Sequence, residues 1–376
     1  MIPFNIPVVP EISKKYALQA LASTHQHGDG PFTKQASDLI SNLTGGGHVL
    51  LTPSCTHALE MASMLTNIGP GDEVILPSYT FTSAATAITK FGATPVFVDV
   101  DLESKGIDVT QARKAITSRT RAISWVNYAG IAPDIKGLQQ IAKEFNLILI
   151  EDNAHGLGGT YLGKPLGSFG DFATQSFHAT KNIQCGEGGA LVINNSKFVE
   201  KAHIIREKGT NRRLLQKGEV KKYQWVGKGS SYLMSEVSAA VLLGQLESFE
   251  EIQEKRSAVW SIYNNFFSQN KSSIQYINFD ENSSSNTYHI FYFLVSDKTK
   301  RELLLNILSD AGIKATSHYE TLHNSYAGEI FGLSRGELSN SINISSKIIR
   351  LPIWLGINHN ELLEKLIKIK DLIFLS

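Results

Sequence analysis

The chain has 376 residues, of which 36 are basic and 35 acidic, with a formal net charge of +1 and two cysteines. So even a balance gives no electrostatic reason to expect nucleic acid or an anionic membrane as partner, and Cys55 and Cys185 supply neither a disulfide framework nor a zinc spacing. Met1-Ile2-Pro3-Phe4-Asn5-Ile6-Pro7 lacks the basic start and apolar run of a leader, and no later stretch has the length of a membrane span; the expectation is a cytoplasmic protein with two domains, residues 1–247 and 248–376.

In chain order, Glu11–Ala22 and Thr33–Leu43 have helical spacing, separated by the turn formers Gly28-Asp29-Gly30-Pro31. Apolar runs at Val49–Leu51, Glu73–Leu76, Pro95–Val98, Ala122–Val126 and Leu147–Ile150 then alternate with helical segments at Thr56–Thr66, Ser83–Phe91, Val109–Thr117 and Ile135–Phe145. That alternation predicts an α/β large domain with a mostly parallel sheet covered on both faces. Asp171–Phe177 reads as a further strand, and the charged, aperiodic stretch Lys208–Tyr232 as a loop. A helix opens at Ser235 and runs on toward Asn265. Beyond it, the polar, turn-rich Asn270–Asn286, a strand at Tyr288–Val295, a helix at Arg301–Ala311, a strand at Ile313–Ser317 and a last helix at Glu361–Phe374 predict a smaller α+β C-terminal domain.

In such sheets ligands lie beyond the carboxyl ends of the strands. After Val49–Leu51 come Ser54, Cys55 and Thr56 at a helix start, where free N–H groups and the dipole suit a phosphate, although an ordinary N-cap would use the same residues. After Glu73–Leu76 come Tyr79 and Phe81, either core aromatics or a face for a ligand ring. Leu147–Ile150 ends in Glu151-Asp152-Asn153-Ala154-His155; a carboxylate after so apolar a strand needs a cation, or else Asp152 caps the next segment. Asp171–Phe177 leads to Lys181, followed by Gly186-Glu187-Gly188-Gly189, a setting for a Schiff-base lysine or for a surface lysine in a turn. Together a reactive lysine, a desolvated carboxylate, a phosphate cradle and a stacking aromatic are the parts a pyridoxal 5'-phosphate (PLP) site requires.

Along nearly its whole length the chain resembles the DegT-type sugar-nucleotide aminotransferases, PLP enzymes of the aspartate aminotransferase fold (fold type I). The stretches that carry the resemblance include Gly28-Asp29-Gly30, Thr52-Pro53-Ser54-Cys55-Thr56, Pro77-Ser78-Tyr79-Thr80-Phe81, Glu151-Asp152, Ser176-Phe177-His178 with Thr180-Lys181-Asn182, Arg206-Glu207-Lys208-Gly209-Thr210-Asn211-Arg212 and Gly229-Ser230-Ser231-Tyr232. The resemblance implies that Lys181 binds the cofactor and shuttles the proton, Asp152 holds the pyridinium nitrogen, His155 lies near the ring hydroxyl and Phe81 stacks. It implies further that Cys55, Thr56 and Ser176 hold the phosphate, with Asn211 contributed by the neighbouring subunit of a homodimer. Cys55 stands where many relatives have glycine. Arg212, Tyr232, His318, Tyr319 and His323 are the implied substrate contacts.

The implied reaction moves an amino group from L-glutamate to the C4 ketone of a dTDP-4-keto-6-deoxyhexose, giving dTDP-4-amino-4,6-dideoxygalactose for surface polysaccharide. Alternatives are the gluco epimer, amination of a C3 ketone, and a catalytically silent protein of the same fold. A sugar dehydratase is disfavoured because such relatives replace the lysine with histidine, whereas this chain has Lys181.

Overall fold

A computed structural model describes residues 1–269, 274–277 and 284–374. Its elements begin with α1 (Glu11–Ala22), α2 (Pro31–Leu43), β1 (His48–Thr52), α3 (Cys55–Thr66), β2 (Glu73–Pro77), α4 (Thr82–Thr89), β3 (Thr94–Val98), α5 (Val109–Lys114), β4 (Thr120–Val126), α6 (Ile135–Phe145) and β5 (Ile148–Asp152). After the short β6 (Thr160–Tyr161) and β7 (Lys164–Pro165) come β8 (Phe172–Ser176), β9 (Gly189–Ile193), α7 (Val199–Arg206), α8 (Arg212–Gln216), α9 (Glu236–Glu247) and α10 (Phe249–Gln269). The remainder holds β10 (Gln275–Tyr276), β11 (Ser284–Ser285), β12 (Phe291–Leu294), α11 (Lys298–Asp310), α12 (Tyr326–Phe331), β13 (Leu333–Ser334), α13 (Ser339–Lys347), β14 (Ile348–Leu351), α14 (His359–Lys368) and α15 (Lys370–Phe374).

The main sheet has eight strands in the order β1-β9-β8-β5-β4-β2-β3-β13. Its pairs are parallel except those made by β9, which runs antiparallel to both β1 and β8. Strand periodicity divides the apolar side chains between two covered faces. Val74, Leu76, Phe97 and Ala122 pack on the side of α3, α4 and α7, while Ile75, Val96, Val98, Ile123 and Trp125 pack against α5 and α6. A third cluster joins Val49 and Leu51 of β1 to Ala36 and Ile40 of α2 and to Leu242 and Leu243 of α9.

The start of α2 is capped from a distant helix. Gly30 and Pro31 bring no capping side chain, and instead the Glu236 carboxylate at the start of α9 accepts the N–H groups of Gly30, Phe32 and Thr33 at 2.9–3.1 Å, together with the Thr33 hydroxyl. A Cβ on Gly30 would meet Glu236 Oε2 at 2.5 Å, so only glycine fits there. Glu236→Ala would leave several buried donors unsatisfied, and we expect it to cost about 3 kcal/mol or more of unfolding free energy in denaturant titration, with Glu236→Gln falling between. A wild-type midpoint for Glu236→Ala would contradict this account.

A separate core gathers Tyr263, Phe266 and Phe267 of α10, Phe291 and Phe293 of β12, Leu304 and Leu308 of α11 and Ile348 and Ile349 of β14. The chain start joins it: Ile2 N–H donates to Gly312 O and Lys314 N–H to Ile2 O, at 2.7 and 2.9 Å. Four expectations need correction. Ile313–Ser317 makes only isolated bridges, Ile313 to Ile2 and Thr316 to Arg350, because it crosses between two partners rather than running along one. The helices read beyond Ser235 and near the C-terminus are each two, interrupted at Ser248 and at Ile369 by non-helical backbone. The loop Lys208–Tyr232 contains the helical turn α8. Most of the turn-rich stretch Asn270–Asn286 lies outside the described residues.

Candidate active site

The carboxyl ends of β1, β2, β5 and β8 open on one cavity of about 550 Å3, closed on its far side by residues of the C-terminal part. Its size suits a cofactor with part of a substrate. Strand alternation separates the two acids that end β5. Glu151 is fully buried and accepts the N–H groups of Gly167 and Phe169 and the Asn127 amide, at 2.7, 3.0 and 2.8 Å, so it is structural. Asp152 lines the cavity, is 5% exposed and accepts one N–H, from Ala154 at 3.1 Å. Burial raises its pKa above the usual carboxylate value, opposed by that N–H and by the Lys181 charge. Among the described residues no cation lies within ion-pair distance of it.

Beyond β8 the chain folds back on itself. Phe177 N–H donates to Gly188 O and Ala179 N–H to Gly186 O, both at 2.8 Å, with Gly186 at φ +83° making the turn toward β9. Lys181 sits in this closed loop and lines the cavity. Burial brings its amine down to about 8, against the pull of Cys55 and Asp152 and with help from Arg350. A desolvated lysine of lowered pKa beside a desolvated carboxylate is the pair that PLP chemistry needs, and these two groups fit the cofactor's aldehyde and ring nitrogen.

At the start of α3, Ser54 caps its own helix by accepting His57 N–H at 3.2 Å. Cys55 and Thr56 occupy the first turn, whose amides have no intrahelical acceptor, and both line the cavity with Ser176. The Thr56 hydroxyl also meets Ser83 Oγ at 2.7 Å. Burial pushes the Cys55 thiol up, so it stays neutral beside the lysine. Phe81, the residue before α4, is 53% exposed at the cavity's edge.

His155, His318 and Tyr319 line the opposite wall. His155 Nδ1 accepts Ala129 N–H at 3.3 Å, which leaves the ring hydrogen on Nε2, 3.2 Å from the Tyr319 oxygen. Burial first, then the charges of Lys181 and Arg350, hold His155 well below the usual histidine pKa. Ala129 adopts φ +56° to make this contact, a backbone state costing an alanine about 1–2 kcal/mol. His318 stacks on Tyr319 with ring centres 3.7 Å apart and meets Tyr128 Oη at 2.7 Å.

Four expected residues do not line this cavity. Tyr232 is 2% exposed in the core and donates to Glu60 Oε2 at 2.9 Å; its expected substrate contact is corrected, because so enclosed a phenol has no route to a ligand. His323 Nδ1 pairs with Ser78 Oγ behind the wall. Asn211 directly precedes α8 and pins the following loop, donating to Lys222 O at 3.1 Å and accepting Gln224 N–H at 2.8 Å. Arg212 pairs with Glu207 at 3.6 Å. Sequence reading missed Arg256, His289 and Arg350, all of which line the cavity. His289 Nδ1 lies 2.8 Å from Asn182 Oδ1, directly after the lysine, a contact that no local pattern announces.

Fold and site together define an aminotransferase of PLP fold type I. The chain belongs to the DegT/DnrJ/EryC1/StrS aminotransferase family, whose profile matches residues 11–368. It is 28% identical to the spore coat polysaccharide biosynthesis protein SpsC of Bacillus subtilis, over 99% of this chain and 97% of that protein. Among solved structures, the PMP form of Spr1654 from Streptococcus pneumoniae, provisionally assigned as a sugar aminotransferase, superposes with a TM-score of 0.90 at 28% identity, covering 98% of each chain. Helicobacter pylori PseC, an aminotransferase involved in the biosynthesis of pseudoaminic acid, gives 0.86 at 25% identity, again over 98% of each.

Proposed function

We propose that this aminotransferase moves an amino group from L-glutamate to the C4 ketone of a dTDP-4-keto-6-deoxyhexose, giving the galacto product for surface polysaccharide. The observation that carries the reaction class is Lys181 and Asp152 facing one buried cavity from the ends of neighbouring strands. Bound there, PLP supplies the electron sink that lets an amino group pass between carbon skeletons. Lys181 attaches the cofactor and takes up and returns the proton at Nζ; with a pKa of about 8, roughly a tenth of its free amines are neutral at pH 7. Asp152 balances the ring nitrogen's charge, His155 lies toward the ring hydroxyl, and Phe81 covers the ring. Cys55, Thr56 and Ser176 receive the phosphate, and the partner's Asn211 completes its binding in a homodimer.

His318 and Tyr319 face the sugar, and Arg212 serves the nucleotide diphosphate. The polysaccharide role named for SpsC supports a carbohydrate acceptor; the dTDP base, the C4 position and the galacto configuration rest on the sequence resemblance. Among the described residues no helix is long and apolar enough to cross a membrane. Purified protein given PLP, glutamate and dTDP-4-keto-6-deoxyglucose should yield an axial C4 amine by NMR. An equatorial amine, or one formed only from a 3-keto sugar, would replace the substrate assignment and keep the class.

A further inference from the structure

The residue after the lysine ties its loop to the C-terminal part. Asn182 Nδ2 donates to Thr287 O at 2.7 Å and to Gln253 Oε1 on α10 at 3.0 Å, and Gln253 Nε2 donates to the same Thr287 carbonyl at 3.2 Å. A carbonyl oxygen only accepts, so the orientation of both amides is fixed, and Asn182 Oδ1 is the atom turned to His289 Nδ1, at 2.8 Å. That oxygen is an acceptor, which puts the hydrogen of a neutral imidazole on Nδ1 and leaves Nε2 bare. Burial first, then His155 and the charges of Lys181, Arg256 and Arg350, hold the His289 pKa well below the usual histidine value, so the ring stays neutral.

The far end of the tie is itself held. Thr287 is fully buried, and its hydroxyl donates to Ala129 O, in the turn after β4, at 3.4 Å. Tyr288 adopts φ +52°, which sends neighbouring carbonyls different ways: Thr287 O accepts from Asn182, while Tyr288 O and His289 O accept from the buried Arg256 guanidinium at 3.0 and 2.9 Å. Residues 287–289 are thus pinned both to α10 and to the end of a main-sheet strand. Around the lysine the loop has fewer bonds of its own. Lys181 N–H donates to His178 O at 2.8 Å, and the next backbone donor with a backbone partner among the described residues is Cys185, to Phe177 O at 2.9 Å. Between those two bonds the Asn182 side chain is the tie adjoining the lysine.

A buried imidazole at this place serves either through the bare Nε2, as an acid or base, or through the Nδ1 bond, as a tie. The bonded side is Nδ1, and a ring kept neutral among positive charges is a poor place to put a proton. We propose that His289 is a positioning residue that, through Asn182, holds the backbone at Lys181 so that the amine keeps its desolvated place in the cavity, an inference that rests on the reading of Lys181 as the cofactor lysine. Loosening this tie admits water to the amine, and a solvated lysine returns toward its ordinary pKa. Cys55, Asp152, His155, His318 and Arg350 are the other titratable or charged groups that interact electrostatically with Lys181. Replacing a neutral His289 leaves all of their charges in place.

The test separates the two ring nitrogens. Asparagine places its amide nitrogen where Nδ1 stands and glutamine places its own where Nε2 stands, so H289N keeps the donor to Asn182 and H289Q loses it. Apo forms of wild type, H289N, H289Q and N182A are mixed with PLP from about pH 6 to about pH 10, capture is followed by absorbance, and borohydride reduction with peptide mapping locates the label. Wild type and H289N should level off above about pH 8. In H289Q and N182A the midpoint should rise by about one pH unit, with capture at neutral pH about tenfold slower. A folding defect alone lowers the amount of protein that captures PLP and leaves the midpoint where it was, and recovery in H289N guards against it further. A wild-type midpoint in H289Q and N182A overturns the proposal, and so does a midpoint in H289N raised as far as in H289Q, which would assign the role to Nε2. A label on a lysine other than Lys181 overturns the reading of Lys181 and this inference with it, and that outcome is visible in wild type without any variant.

Discussion

Lys181→Ala protein should fold with an unaltered melting temperature and lose transfer activity by at least about 10^4-fold, because the same amine both attaches the cofactor and moves the proton. The side chain lines a cavity and, among the described residues, anchors nothing, so its removal breaks no hydrogen bond that supports the loop. The lowered pKa adds a sharper expectation. Since burial brings the amine to about 8, capture of PLP by apo-protein should climb about tenfold per pH unit below that value and level off above it. The direction follows from the neutral amine being the nucleophile, and a lowered pKa moves the plateau down from the ordinary lysine range. Stopped-flow absorbance against pH measures it. A rise continuing to pH 10 would mean that Lys181 is solvated rather than buried, and normal turnover by Lys181→Ala would remove it from the chemistry altogether.

What the sequence made legible was whatever depends on local period. The β-α alternation placed the strand ends, and the strand ends placed Asp152, Lys181 and the start of α3 on one side of the sheet. The same period distinguishes Glu151 from Asp152, since neighbours on a strand face opposite ways. What stayed hidden depends on pairing between distant segments. Arg350 lies in the run Ile348–Leu351, which on its own is one charged residue in an apolar strand. Only the pairing of β14 with β12, and the bridge to Thr316, turn it into the cavity. Tyr232 failed in the opposite direction: it stands in a stretch that carries the resemblance, but its phenol is taken by Glu60, a residue on α3 that already holds Lys90 at 2.6 Å. Sequence likewise gives no sign that Ile2 will pair beside Ile313, so the strand read there had no regular neighbour.

Asp152→Asn is the second substitution with a large expected effect, and it isolates charge from shape. The asparagine oxygen can keep the Ala154 N–H bond, so the end of β5 and the contacts of Glu151 should survive. What disappears is the buried negative charge, and a neutral amide donor then stands where a cation is to be held. With the ring nitrogen no longer kept protonated, turnover should fall by about 10^3-fold or more, and PLP should wash out faster on dialysis. A cofactor analogue methylated on the ring nitrogen carries its positive charge without help from the protein, and it should narrow the gap between Asp152→Asn and wild type. That rescue is the decisive readout, because a variant damaged only in folding would gain nothing from it. If Asp152→Asn keeps near-normal activity with PLP, the carboxylate is a cap for Ala154 and the cation it serves must be sought elsewhere in the cavity.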